Sequence, residues 1–179
     1  MSKEEIRNKH PGSYIRYNGA ISKVIKEVQE EKNLEMLKDE FSDCALRGWQ
    51  QVVLRKLKEQ DKRKVTWVYD AEGNIGKTWL AKYIVATENG FYIDGGKQSD
   101  IIYAYDNQPY VIFDFTRSQE EIVNYSLIEK FKNGITFSTK YESKMKVFDP
   151  AKVLCLSNFD PDRSKLSADR WQVLVFNQL

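Results

Sequence analysis

Short apolar strands alternate with helical stretches from residue 65 onward, which predicts an α/β domain with a mostly parallel sheet. Two further observations place a small helical segment in front of it. Apolar residues at Ile21, Val24, Ile25 and Val28, then Leu34 and Leu37, recur at helical spacing. A basic, polar stretch over 58–64 then separates this segment from the first strand. The predicted organisation is a linker and helical segment over 1–62 and an α/β domain over 63–179.

The elements follow in order. Ser42 or Asp43 can cap a second helix whose apolar positions are Leu46, Trp49, Val52, Val53 and Leu57. V-T-W-V-Y (65–69) reads as a strand, 70–76 as a loop, and 77–87 as a helix. F-Y-I-D (91–94) is a short strand, and Ser99 can cap a helix reaching about Tyr105. Y-V-I-F-D-F (110–115) is a buried strand, followed by a helix over 118–131. Asn133-Gly134 opens a turn, after which 135–139 and 144–148 pair as a hairpin. K-V-L-C-L-S-N (152–158) and V-L-V-F (173–176) are the last strands.

Composition narrows the class. With 41% hydrophobic and 30% charged residues the chain is globular rather than disordered. No apolar run is long enough to span a bilayer, and the N-terminus lacks the apolar centre of a signal peptide, so an intracellular location (nucleus or cytoplasm) without membrane contact is expected. Cys44 and Cys155 read as free thiols of a reducing compartment, and the single histidine argues against a histidine-based metal site. Net charge is only +2, yet residues 1–64 hold 15 basic against 11 acidic residues. Lys130, Lys132, Lys140, Lys144 and Lys146 face one acid, Glu142. Such a run is either a solvated surface or a contact for a polyanion.

The chemistry concentrates in A-E-G-N-I-G-K-T (71–78), between a strand and a helix. The general phosphate-loop pattern is G-x-x-x-x-G-K-[ST], with Ala71 here in place of the first glycine. Backbone N–H groups of Glu72, Gly73, Asn74, Ile75 and Gly76 would surround phosphate oxygens, helped by the positive end of the following helix. Lys77 would reach the β- and γ-phosphates of a nucleoside triphosphate, and the Thr78 hydroxyl would hold Mg²⁺. Asp114 ends an apolar strand where such a site needs an acid to orient the metal. Phe115 follows it where many such enzymes carry a second acid; Glu120 and Glu121 lie nearby. Asn158, at the end of the strand 152–156, either holds the attacking water or senses the γ-phosphate, or simply forms a turn. Arg170, in S-A-D-R (167–170), either pairs with Asp169 at the surface or stabilises phosphate charge in a neighbouring subunit.

Taken in this order, the motifs resemble the superfamily 3 helicase domain of replication initiator (Rep) proteins of circular single-stranded DNA viruses. The likeness is closest to nanoviruses and their alphasatellites and more distant for circoviruses. It is carried by V-I-F-D-F-T-R-S-Q-E-E-I-V-N-Y-S-L-I-E-K-F-K-N-G-I-T-F-S-T-K-Y-E (111–142), above all by N-Y-x-L-I-E-x-F-K-N-G at 124–134. It covers 65–175 well and 1–60 loosely, including P-G-S-Y-I-R-Y-N-G (11–19).

The resemblance implies a P-loop NTPase of the AAA+-like type, with ATP and Mg²⁺ as ligands and an N-terminal oligomerisation segment. Lys77 and Thr78 match its first motif, Asp114 its second and Asn158 its third, and Arg170 matches a candidate arginine finger. Lys132, Lys140, Lys144 and Lys146 fall in and just before the region where the family carries a DNA-contacting hairpin. The implied activity is ATP-driven translocation on single-stranded DNA by a homo-oligomeric ring, by analogy a hexamer. The paired-histidine nuclease domain of full initiators has no counterpart here. Tyr141-Glu-Ser-Lys144 is a formal Y-x-x-K but lies inside the hairpin, so no strand nicking is predicted. Two other readings stay open: a nucleotide-gated assembly module without unwinding, and an RNA helicase of the viral type, which shares the motif order.

Overall fold

The computed structural model describes residues 2–141 and 143–178. It divides into two compact units, Met1–Cys44 and Ala45–Leu179. The first holds α1 (Lys3–Lys9) and the long α2 (Pro11–Phe41), which carries one non-helical residue, Tyr17. Ser2 caps α1 reciprocally with Glu5: the Glu5 N–H donates to Ser2 Oγ at 3.2 Å and the Ser2 N–H to Glu5 Oε2 at 2.6 Å. The predicted apolar pattern does lie on a helix, but Val24, Val28, Leu34 and Met36 are exposed and Phe41 is the buried residue of α2.

The second unit begins with α3 (Gly48–Lys58). The sequence suggested a boundary near residue 62, but the compact unit starts at Ala45 because α3 packs on the sheet. Five strands follow the order β2-β3-β6-β1-β7, all parallel: β1 (Val65–Tyr69), β2 (Gly90–Ile93), β3 (Tyr110–Asp114), β6 (Lys152–Ser157) and β7 (Trp171–Val175). The strand period of two sorts each side chain to a face. Val68, Ile112, Leu154 and Leu156 meet Trp49, Val53 and Leu57 of α3 and Leu80 and Ile84 of α4 (Lys77–Glu88). Val65, Trp67, Val111, Phe113, Val153 and Cys155 meet Ile101 and Ile102 of α5 (Gln98–Ala104) and Leu127 and Phe131 of α6 (Tyr125–Asn133). Each fully buried side chain of this size contributes roughly 1.5–3 kcal/mol. Among the described residues no helix is long and apolar enough to cross a membrane.

The helix expected over 118–131 divides in two. A 3-10 turn covers Arg117–Ile122, and α6 restarts because the Asn124 side chain accepts the Leu127 N–H at 2.9 Å. The hairpin forms in the expected place as β4 (Ile135–Ser138) and β5 (Lys144–Val147), antiparallel with Ile135 opposite Val147. Gly134 closes α6 at φ +69, where a Cβ would lie 2.5 Å from the Phe148 carbonyl. Gly134→Ala is therefore expected to destabilise the domain by about 2 kcal/mol, since it combines a left-handed backbone with a clash. Urea denaturation checks this, and a loss under about 0.5 kcal/mol would contradict it.

Candidate active site

The end of β1 and the loop after it are built around Asp70. This aspartate is buried, and its Oδ2 accepts the Gly73 N–H at 2.6 Å and lies 3.8 Å from Lys77 Nζ. The loop needs positive φ at Gly73 (92), Asn74 (62) and Gly76 (94), conformations that glycine and asparagine tolerate. Gly76 is also the residue before α4, so the first free N–H groups of that helix face the loop. On the α3 side, Gln50 accepts the Arg47 N–H at 2.9 Å and donates to the Gly76 carbonyl at 3.4 Å.

Two strands away, Asp114 at the end of β3 accepts the Thr78 hydroxyl at 2.7 Å and the Tyr92 hydroxyl at 3.1 Å. Thr78 and Asp114, separated by 36 positions in sequence, are thus in direct contact. Burial, then the Asp114 carboxylate, pushes the Tyr92 hydroxyl well above its ordinary pKa, so Tyr92 stays a donor. Lys77 is 8% exposed; desolvation lowers its pKa, while Asp70 and Asp114 oppose that shift. A hydroxyl and a carboxylate in contact form a hard-oxygen set suited to Mg²⁺, and the desolvated ammonium suits a phosphate. Asn158, just after β6, donates from Nδ2 to the Asp70 carbonyl at 2.9 Å.

Lys77, Thr78, Tyr92, Asp114 and Asn158 line one cleft of about 660 Å³. It contains the predicted Glu72, Gly73, Asn74, Gly76, Lys77, Thr78, Asp114 and Asn158. Ile75 instead packs toward the α3 face of the core, and its carbonyl accepts from Arg47 Nη1 at 3.3 Å. The sequence reading passed over Asp70, Tyr92 and Asp94. A strand-ending acid directly before a glycine loop was the available signal for Asp70. Glu120 and Glu121 are exposed in the 3-10 turn, and neither lines the cleft; Phe115 stacks on Trp67 at 5.5 Å.

Three expectations need correction. Arg170 does not project as a finger: it is 8% exposed, and its Nη2 lies 3.2 Å from Asn133 Oδ1 and 3.4 Å from Glu129 Oε1. Lys132 does not face a polyanion. It is 4% exposed and donates to Gln60 Oε1 at 2.8 Å and to the Ala151 carbonyl at 2.9 Å, because position 132 falls one turn after buried Ile128. Lys146 is half-buried and donates to the Ile102 carbonyl at 2.8 Å and to the Tyr105 carbonyl, which ties the hairpin to the end of α5. Lys140 pairs with Asp100 at 2.7 Å, near the start of α5, and Lys144 is exposed. Glu142 lies outside the described residues.

A phosphate loop between β1 and α4, an acid on a neighbouring strand and a parallel sheet covered on both faces define a P-loop NTPase-like domain. The family model described as RNA helicase matches residues 66–159, about half of the chain. The chain belongs to this family, as a superfamily 3-type domain of the kind carried by Rep proteins. It is 47% identical over 122 residues to the Master replication protein of Milk vetch dwarf virus, covering 68% of this chain and 43% of that protein. Identity to the Master replication protein of Banana bunchy top virus is 35% over 160 residues, covering 89% and 54%. Against Para-Rep C10 of the Milk vetch dwarf C10 alphasatellite it is 34% over 177 residues, covering 96% and 59%. The chain thus spans about half the length of the curated relatives it matches.

Proposed function

We propose that this domain hydrolyses ATP and uses it to move along single-stranded DNA as part of a replication protein. The observation that carries this reading is the 2.7 Å contact between Thr78 and Asp114, which joins the phosphate loop to the acid of the second motif. Lys77 binds the β- and γ-phosphates, and loop N–H groups surround the bridging oxygens. Thr78 and Asp114 would hold Mg²⁺, whose charge would help neutralise the phosphate oxygens. Asn158, fixed by the Asp70 carbonyl, orients the attacking water.

The hairpin is the surface for the strand. Ile135 and Phe137 of β4 and Met145 and Val147 of β5 are cross-strand partners and all exposed. Tyr103 and Tyr141, ring centroids 5.0 Å apart, flank Lys140. Aromatic faces beside cations suit unpaired bases and their phosphates. The exposed Val24 and Val28 of α2 support assembly of several copies, with a six-membered ring the form the family suggests.

Replacing Lys140 and Lys144 together with alanine is expected to weaken single-strand binding and to lower the salt slope by about 1.4, at roughly 0.7 per phosphate contact. An unchanged slope would remove the hairpin from the reading. The unsubstituted protein, assayed for ATP turnover, strand displacement and mass by light scattering, tests the motor. Turnover and assembly without displacement would instead favour a nucleotide-gated assembly module. RNA is the second candidate strand because the matching family model is named for RNA helicases, so RNA and DNA oligomers are compared in the same titration.

A further inference from the structure

Arg117 stands three residues after Asp114, at the start of the 3-10 turn that leaves β3. Its Nη2 donates to the carbonyls of Ala71 at 3.0 Å and Glu72 at 2.6 Å, the first two residues of the phosphate loop. A Cβ built on Gly73 would lie 3.3 Å from Arg117 Nη2 and 3.2 Å from Asn158 Nδ2. Arg117 and Asn158 therefore press on the same loop residue. They arrive from the carboxyl ends of β3 and β6, which are neighbours in the sheet. Lys77, Thr78, Asp114, Arg117 and Asn158 line the same cleft.

This places the guanidinium on the side of the loop that meets the second and third motifs, beside Thr78 and Asp114, the residues that would hold the metal of a terminal phosphate. The Ala71 and Glu72 acceptors of Nη2 are neutral carbonyls. A guanidinium has five N–H donors, and an anionic oxygen accepts roughly twice as strongly as a neutral one. Arg170, the cation expected to act here from a neighbour, is buried against Asn133 and Glu129. Arg117 is exposed to the cleft and within the chain's own site. Its charge also adds to the lowering of the Lys77 pKa, behind desolvation, so two cations converge on one small volume.

We infer that Arg117 binds the terminal phosphate of the nucleotide held in its own subunit, and so distinguishes ATP from ADP. With ADP it holds the loop through Ala71 and Glu72; with ATP it turns N–H donors to the γ-phosphate oxygens and loosens that hold. The inference rests on the reading that the cleft takes ATP. A residue that only fastened the loop would support both nucleotides alike.

The test measures affinity of the full chain for ADP and for a non-hydrolysable ATP analogue, both with Mg²⁺, by calorimetry. Arg117→Gln is expected to weaken the ATP analogue by tenfold to about a hundredfold, the size of a charge-assisted hydrogen bond. ADP affinity should stay within about twofold, and Arg117→Lys should restore part of the difference by keeping the charge without the fork. Equal loss for both nucleotides, or no loss for either, overturns the inference while leaving the nucleotide site standing. Wild-type protein that binds neither nucleotide overturns the ATP reading itself. Thermal melts of both variants identify a fold defect, and if Arg117→Gln does not fold, Arg117→Lys decides on the same ratio.

Discussion

Lys77→Ala should lower ATP turnover at saturating nucleotide by at least about a hundredfold, the scale of removing one preorganised charge from a phosphoryl-transfer site. The fold should survive. Asp70, the partner left behind, still accepts the Gly73 N–H at 2.6 Å, so its carboxylate keeps a strong donor. The large term is chemical. Lys77 is fixed at the start of α4 between Asp70 and Asp114, and alanine supplies no charge there. A coupled phosphate-release assay with circular dichroism as the folding control makes the measurement. Wild-type turnover in a folded Lys77→Ala variant would sink the assignment of the cleft.

Lys132→Ala should cost about 2 kcal/mol or more near neutral pH, although it lies far from the phosphates in function. The ammonium joins α6 to the segment before β1 and to the start of β6 through Gln60, Asp61 and Ala151. Gln60 in turn bonds both backbone groups of Val153 and donates to Thr66, whose hydroxyl donates to Gln172. Alanine leaves the Ala151 carbonyl without this donor and removes a buried four-carbon stem.

The pH dependence is specific to this lysine. Burial, the largest cause, lowers its pKa from 10.5 to about 8. The unfolded chain therefore keeps the proton after the folded protein has released it. Between about pH 8 and 10.5 the unfolded state binds more protons, so this group makes stability rise with pH. Below about pH 8 the cost of burying the charge is present in full. The rise from pH 8 to 9.5 should be roughly 1.5 kcal/mol. Cys155 and Tyr105, whose pKa values burial raises, act in the opposite sense, so the wild type is compared with the variant at each pH. A wild-type curve parallel to that of Lys132→Ala from pH 7.5 to 9.5 would refute the assignment.

The parts legible in the sequence were those set by local pattern. The glycine loop between strand and helix, the acid at the end of Y-V-I-F-D and the hairpin after Asn133-Gly134 each follow from period and turn chemistry, and each stands where expected. Burial of individual cations was less legible. Lysine in a basic run reads as surface, yet Leu127, Ile128 and Phe131 already marked the face that Lys132 shares. Arg170 gave less warning, because its acceptors on α6 lie 37 positions away or more. Gln60 and Val153 are 93 positions apart, and no local pattern announces that bond. The α3 boundary was misplaced for a related reason. A charged linker marks where a chain is soluble, not which helix a sheet has covered.

Trp67, in the interior strand β1, donates to Ser157 Oγ at 2.8 Å and lies within about 6 Å of Phe115, Tyr125, Phe159 and Trp171. Phe115 follows Asp114, Phe159 follows Asn158 and Trp171 follows Arg170. One indole is thus the common stop against which three separate loops are set to length. Such a part is hard to alter by single steps: a smaller ring at any contact loosens all three loops at once, so these five aromatic positions change together or hardly at all in a lineage that keeps the site.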